Sequence, residues 1–288
     1  MIQLIVNPIA GNGRAKAIGA QAGEYLLEKK VEHTLVYTEY VGHATELAKQ
    51  AADAGVDTVI AVGGDGTVSE IVAGLMHSQT ALGIVSAGTG NDFNKSLNAP
   101  KKWQDALDFI LAHPARPLDA GKMNDTFFIN VCGAGFDVMV LEYSLIAKKY
   151  SQGIWPYLYG VVRAIKNFKP FAMHIEIDGD TVLDGEFMIC AIANGKLFGG
   201  GIPIAPMADV ADGHFDIIVV DAVPRWKIPF YLPGLLSGKL LKYRITRHYK
   251  ATRCVLSSKG MRLNLDGEIL PVEHTSFTCQ EGALMVHW

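Results

Sequence analysis

Three glycine-rich stretches stand behind three apolar runs early in the chain: Asn7-Pro8-Ile9-Ala10-Gly11-Asn12-Gly13, Gly63-Gly64-Asp65-Gly66-Thr67 and Ala87-Gly88-Thr89-Gly90-Asn91-Asp92. Glycine lets backbone N–H groups come close to phosphate oxygens, and a following helix adds unpaired N–H groups and the positive end of its dipole. One such turn is more often a tight connection than a cradle. Three at one sheet edge point to a ligand, because open α/β sheets bind in the crevice beyond their strand C-termini. None is followed by Gly-Lys-Ser/Thr as in a P-loop, and Gly11 and Gly13 lead to Lys16 where a dinucleotide fingerprint has its third glycine. Phosphate charge then falls to backbone N–H groups, to Arg14 or Lys16, and to a divalent metal. Asp65, Asp92 and Asp119 lie in or just beyond strand-end segments, where a carboxylate can hold Mg²⁺ directly or through water; each can also be a helix cap or turn former. Farther along, Asp266-Gly267-Glu268 reads as a hairpin corner, yet it offers two carboxylates able to accept a proton from a hydroxyl nucleophile.

The elements that must position these residues follow from periodicity. Apolar β-rich runs at Ile2–Val6, Thr34–Thr38, Thr58–Val62, Leu82–Ser86 and Arg116–Lys122 alternate with helical patterns, the signature of βα units around a parallel sheet. Ile18, Ala22, Tyr25 and Leu26 share one helical face, as do Leu47, Ala48, Ala51 and Ala52 ahead of Gly55. After Lys122 the pattern becomes a strand at Phe127–Cys132, a helical stretch from about Val138 to Asn167, and then strands. Phe171, Met173, Ile175 and Ile177 alternate with smaller or polar residues up to the Asp178-Gly179 turn. Further strands are expected at Phe215–Val220, Ala251–Ser257, Met261–Leu265 and Ser276–Cys279. The expectation is α/β: residues 1–121 form an open α/β nucleotide-binding domain, and residues 122–282 form a mainly antiparallel, sandwich-like β domain. Residues 283–288 either close the second sheet or pack back on the first domain.

Composition narrows the classes. The chain has 288 residues, 49 % apolar and 19 % charged, which excludes disorder and allows two cores. Met1–Val6 has no basic leader and runs into Asn7-Pro8, so it is expected to be a buried strand and not a signal peptide. The Ile154–Ile165 run is broken by Pro156, Gly160 and Arg163 and is too short to span a bilayer, so a cytoplasmic protein is expected. Cys132, Cys190, Cys254 and Cys279 show no metal or redox spacing. Residues 225–288 hold 10 Lys/Arg against 4 Asp/Glu, and all ten lie between Arg225 and Arg262, where no acid occurs. Such a block is a solvated face or a contact for an anionic surface.

Taken in order, Asn7-Pro8 with Gly11-Asn12-Gly13, Gly63-Gly64-Asp65-Gly66-Thr67 with Glu70, Gly88-Thr89-Gly90-Asn91-Asp92-Phe93, Leu118-Asp119 and Leu265-Asp266-Gly267-Glu268 resemble the diacylglycerol kinase catalytic family, which includes bacterial lipid kinases and sphingosine and ceramide kinases. The resemblance implies a nucleotide domain and a lipid domain with the active site between them. It implies ATP contacts at Asn7, Gly11, Gly13, Thr38, Gly63, Gly64, Asp65, Gly66, Thr67, Glu70, Thr89 and Asn91. It also implies a water-mediated Mg²⁺ network at Asp65, Asp92 and Asp119, and a structural metal near Asp209, Asp212 and His214. The proton acceptor is Asp266, Glu268 or Asp65. The function implied is transfer of the γ-phosphoryl group of ATP to a lipid hydroxyl, with diacylglycerol as the acceptor. An NAD kinase-like enzyme shares Gly63 to Thr67, and a non-catalytic, nucleotide-dependent membrane sensor would keep the same motifs. Peripheral membrane contact through the Arg225–Arg262 region is expected, a nucleic-acid partner is not, and homo-oligomerisation stays open.

Overall fold

A computed structural model describes residues 1–150 and 155–288. In its first part β1 (Ile2–Val6), α1 (Arg14–Glu28), β2 (His33–Tyr37), α2 (His43–Asp53), β3 (Thr58–Gly63), α3 (Asp65–Leu75) and β4 (Ala81–Ser86) alternate. The four strands are parallel in the order β2-β1-β3-β4. Leu4 and Val6 of β1 pack with Ala22 and Leu26 of α1, whereas Ile5 packs with Ala48 and Ile71 of α2 and α3. Both sheet faces are therefore covered, which is why β3 reads as a continuous apolar run and β1 as one interrupted only at Gln3. α4 (Asp92–Ser96) follows β4 as a single turn, and α5 (Trp103–Ala112) lays Leu107 and Ile110 on the α1 side.

The rest of the chain comprises β5 (Arg116–Met123), β6 (Thr126–Phe128), β7 (Val131–Gly135), α6 (Phe136–Lys148), α7 (Trp155–Asn167), β8 (Phe171–Ile177), β9 (Thr181–Ala193), β10 (Leu197–Phe198), β11 (Ile202–Pro203), β12 (Phe215–Asp221), α8 (Ile228–Leu236), β13 (Thr246–Ala251), β14 (Arg253–Ser257), β15 (Arg262–Leu265), β16 (Glu268–Pro271) and β17 (His274–Val286). Strands β14-β8-β9-β7-β15-β16 are antiparallel neighbours, with β12 and β13 branching from β9. One face of this curved sheet encloses Phe128, Ile175, Phe215 and Phe277; the other is covered by α6, α7 and α8 through Phe136, Ala164 and Leu235.

β17 links the two parts. Its first half pairs with β14, and its end pairs with β5 and, at Val286↔Leu82, in parallel with β4. Residues 284–286 thus lie in the first sheet, and a register shift between Gln280 and Leu284 lets one strand serve both. Three of the expected elements are divided, and β13 and β16 are additional strands. The single strand at Phe127–Cys132 is split into β6 and β7 by Ile129-Asn130, whose N–H groups turn toward a carboxylate. The strand at Ala251–Ser257 is broken at Thr252, where Asp178 takes the backbone N–H. The helical stretch from Val138 to Asn167 is two helices; its residues 151–154 lie outside the described residues.

Candidate active site

The glycine turns meet backbone to backbone. Gly11 has φ +60°, and a Cβ there would lie 1.9 Å from the Ala87 carbonyl oxygen. A Cβ on Gly88 would lie 2.5 Å from Gly64 Cα. Only glycine permits this approach. The Ala87 and Gly88 N–H groups donate to the Gly63 carbonyl (2.7 and 3.1 Å), and Arg14 donates to the Ala87 and Gly88 carbonyls (3.4 and 3.3 Å). Asn7 reaches across to Thr67 Oγ1 (3.0 Å), so β1 and the α3 N-terminus are fixed together. Thr38 closes the same edge, its N–H donating to the Val6 carbonyl at 2.9 Å, and Thr89 is exposed at the tip of the third turn. Asn91 holds a left-handed φ of 51° and donates to Gly88 O, leaving a buried Oδ1 without a partner. Glu70 is used differently: its carboxylate accepts the Ala44 N–H in the first turn of α2 at 3.2 Å, a capping contact.

Two carboxylates converge beside Gly90. Asp65 Oδ1 accepts the Asp92 N–H at 2.7 Å, capping α4. Asp92 Oδ2 accepts the Gly200 N–H at 2.7 Å, and Lys95 Nζ stands 3.5 Å from its Oδ1. A Cβ on Gly90 would sit 2.7 Å from Asp65 Oδ2 and 3.9 Å from Asp92 Oδ2, so the absence of a side chain there is what lets the two acids share the space. Burial, and then the charge of Asp65, raise the Asp92 carboxyl above its ordinary range despite the Gly200 N–H and Lys95. A divalent cation suits this pair, since it would offset both causes. Among the described residues, no group of three or more His, Cys, Asp or Glu side chains is gathered closely enough to hold a metal ion.

The other sequence-expected ligands lie elsewhere. Asp119 is buried, and its oxygens accept the Gly213 and Gly282 N–H groups at 2.7 and 2.8 Å, pinning the 209–214 loop to the bulge of β17. Asp212 is ion-paired with Lys250 and accepts the His214 N–H at 3.1 Å. His214 Nδ1 lies 2.6 Å from the Asp212 carbonyl, which makes it a donor and not a ligand. Asp209 accepts the Ala211 N–H at 3.2 Å. These three residues form a turn whose carboxylates are satisfied by its own N–H groups and by the Lys250 ammonium.

The carboxylate from the second part arrives on the β15–β16 hairpin. Asp266 and Gly267 have φ of 47° and 99°, the two left-handed positions of a tight two-residue turn. Asp266 Oδ1 accepts the Asn130 and Val131 N–H groups at 3.1 and 3.0 Å, and Oδ2 accepts the Ile129 N–H at 2.9 Å. Asp178 performs the same service for Thr252 and Arg253 in another hairpin, so the device alone assigns no chemistry. What separates Asp266 is its surroundings. Ser69 Oγ of α3 lies 3.5 Å from its Oδ2, and the residue is half-buried. Burial outweighs the three N–H donors and, with some help from the charge of Asp65, pushes it up to about 6. Glu268 is exposed at the start of β16.

Behind this turn lies a residue the sequence reading passed over. Asp137, in the first turn of α6, is buried, and burial raises it to about 6. A Cβ on Gly133 would lie 2.1 Å from its Oδ2, so that glycine makes room for it. Asn264 Nδ2 donates to Asp137 Oδ2 at 3.4 Å while Asn264 Oδ1 accepts the Gly267 N–H at 2.9 Å, which ties Asp137 to the turn that carries Asp266. The available signal was a lone Asp between Phe136 and Val138, after a Gly-Ala-Gly strand end.

Residues 1–123 match the diacylglycerol kinase catalytic domain and residues 130–288 match the YegS C-terminal NAD kinase beta sandwich-like domain. The diacylglycerol kinase of Bacillus subtilis (strain 168) is 31 % identical over 271 residues, covering 92 % of this chain and 89 % of the relative. The chain belongs to the diacylglycerol kinase family. The diacylglycerol kinase of Staphylococcus aureus (strain MRSA252) is 30 % identical over 270 residues, covering 92 % of this chain and 85 % of its own. A crystal structure of a diacylglycerol kinase from Bacillus anthracis superposes with a TM-score of 0.73 at 23 % identity, covering 100 % of this chain and 96 % of that one, a likeness of fold. The chain is thus a lipid kinase of the diacylglycerol kinase family, with an N-terminal α/β part and a C-terminal β sandwich-like part.

Proposed function

We propose that this lipid kinase transfers the γ-phosphoryl group of ATP to the hydroxyl of diacylglycerol, giving phosphatidic acid and ADP. The observation that carries the reading is the approach of Asp266, from the second part of the chain, to Ser69 and Asp65 of α3, beside three glycine turns gathered at one sheet edge. The free N–H groups in the first turn of α3 and the backbone of the turns cradle the triphosphate, and Arg14 stands at the rim. Mg²⁺, when bound, supplies neutralisation of the phosphate charge, and Asp65 and Asp92 are the residues that would hold it, largely through water. Asp266, ionised above about pH 6, accepts the acceptor's hydroxyl proton as that oxygen bonds to the γ-phosphorus and the bond to the β–γ bridging oxygen breaks. The carboxylate is anchored by three N–H groups, so it meets the hydroxyl without reorganising. Asp119, the cap at Glu70 and the Asp212 turn hold the frame.

The test is an acceptor panel: γ-labelled ATP and Mg²⁺ with diacylglycerol in mixed micelles, with monoacylglycerol, and with NAD. Label in phosphatidic acid is the expected result. Label in NAD, or in no acceptor, overturns the reading.

A further inference from the structure

Asn130 stands between β6 and β7, buried, and each of its polar groups is paired. Its N–H donates to Asp266 Oδ1 at 3.1 Å, and its carbonyl accepts the Asn194 and Gly195 N–H groups at 2.9 and 2.8 Å. The side chain serves other elements. Nδ2 donates to the Leu197 carbonyl at 2.6 Å, and Oδ1 lies 3.5 Å from Ser96 Oγ of α4. A Cβ on Gly195 would lie 2.1 Å from that Oδ1, so a glycine is what leaves room for the amide. A buried amide satisfied at every position fixes the segments it joins.

Followed outward, these bonds connect Asp266 with Asp92. On one side the Ile129, Asn130 and Val131 N–H groups hold Asp266 at 2.9–3.1 Å, while Asn194 Nδ2 donates to the Ile129 carbonyl at 2.8 Å and to the Asp119 carbonyl at 2.9 Å. On the other side Leu197 opens the β10–β11 hairpin, whose Gly200 N–H donates to Asp92 Oδ2 at 2.7 Å. Ser96 shares its hydroxyl proton between Asn130 Oδ1 and the Asp92 carbonyl, which is 3.0 Å away, and accepts the Lys196 N–H at 3.1 Å. The Asn130 side chain therefore bridges the cradle of Asp266 to both elements that hold Asp92. The hairpin of Asp178 shows the alternative: there the cradle residue Thr252 is exposed, and its Oγ1 donates to Asp178 itself at 3.1 Å.

We propose that Asn130 is a positioning residue for phosphoryl transfer: its side-chain amide fixes the Ile129–Val131 cradle, and with it Asp266, relative to Asp92 and the turn that carries it. The inference rests on the reading of Asp266 as the base of a lipid kinase, and deepens it by naming what sets the base's place across the two parts of the chain. A general base must stand within hydrogen-bond reach of the hydroxyl while the phosphate is held from the other part, and rate falls steeply with misplacement. Asn130 acts through Asp266 and not on the substrates.

The experiment is a double-mutant cycle with γ-labelled ATP and detergent-dispersed diacylglycerol, run on wild type, Asn130→Ala, Asp266→Asn and the pair, with thermal melts beside the kinetics. Asn130→Ala should lower kcat by at least about tenfold while KM for ATP and for diacylglycerol changes by less than about threefold. In the Asp266→Asn background the same substitution should lower kcat by less than about twofold, because no base is left to position. A merely structural defect would lower both backgrounds by the same factor. Ser96→Ala removes one end of the bridge and leaves the amide in place; it should lower kcat by about threefold or more in wild type and not in Asp266→Asn, and it decides the matter where Asn130→Ala melts below the assay temperature. Thr252→Ala, which removes the corresponding bond at Asp178, should turn over as wild type does. Equal losses in the two backgrounds, or Asn130→Ala at the wild-type kcat, overturn the positioning role and leave the kinase reading standing. Asp266→Asn at the wild-type rate, or no labelled lipid from wild type, overturns the reading on which the role rests, and the role with it.

Discussion

Asp266 and Glu268 sit two residues apart and live in different physical surroundings. Asp266 is half-buried and held by backbone N–H groups with its carboxyl pushed up to about 6, while Glu268 lies in solvent. Asp266→Asn should lower kcat by at least about a hundredfold with KM for ATP little changed, the signature of a lost general base, and Glu268→Gln should remain near wild type. Steady-state kinetics on both variants check this, and normal turnover by Asp266→Asn would move the base to Asp65. The wild-type rate should also fall as pH drops through about 6, where Asp266 becomes protonated. Asp137 gives a stability prediction with a definite sign. Its folded carboxyl is raised from 3.8 to about 6, so the folded state binds the proton more tightly, and ionising the group costs stability as pH climbs through that window. The cost is absent below about pH 4, complete above about pH 6, and on the order of 2–3 kcal/mol at most. Asp137→Asn, which loses that cost, should gain stability relative to wild type between pH 4 and pH 7; denaturant melts at the two pH values measure it, and a gap that shrinks with rising pH would contradict the assignment. Carboxylates were legible in the sequence as candidates, but their roles were not. Glu70, Asp119 and Asp212 are taken up by an N–H of α2, by two loop N–H groups and by Lys250, and those partners lie far away along the chain.

The elements were easier to read where a strand is buried on both faces or a turn has one chemical solution. β1, β3 and the two Asp-Gly hairpins follow from apolar runs and left-handed turn residues. β13 was missed because Thr246–Ala251, with its Arg, His and Lys, has one face in solvent. The glycine turns make the sharpest prediction at this scale. Gly90→Ala requires no unusual φ, and its Cβ would meet only the flexible end of Asp65, so the melting temperature should hardly move. The displaced carboxylate should nonetheless reduce kcat by about ten- to a hundredfold, given how steeply rate depends on placement. Thermal melts run beside kinetics decide it: a large stability loss would mean that Gly90 serves packing alone. Gly160 shows the opposite balance, because its Cβ would lie 2.3 Å from Ser144 Oγ and 2.5 Å from the Val140 carbonyl at the crossing of α6 and α7. Gly160→Val should destabilise by about 1–3 kcal/mol through overpacking, measured by denaturant unfolding.

For the molecule as a whole, β17 explains why two folding patterns make one site. A strand that begins in the antiparallel sheet and ends beside β4 fixes the hairpin of Asp266 relative to the glycine turns, and Asp119 locks the bulge where it changes partners. The order of motifs along the sequence carried the α/β and antiparallel β parts, but the placement of residues 283–288 was ambiguous there, since a run such as Ala-Leu-Met-Val suits either sheet. The central claim is that Asp266, from one part, takes the proton from a lipid hydroxyl that attacks ATP held by the other. It is tested most directly by single-turnover transfer of label from γ-labelled ATP to diacylglycerol, followed from pH 5 to pH 8 in wild type and in Asp266→Asn. Wild type should form labelled phosphatidic acid at a rate that rises through about pH 6 and levels off, and the variant should be slower by at least about a hundredfold and lack that rise. A variant that transfers label at the wild-type rate with the same pH dependence would contradict the account.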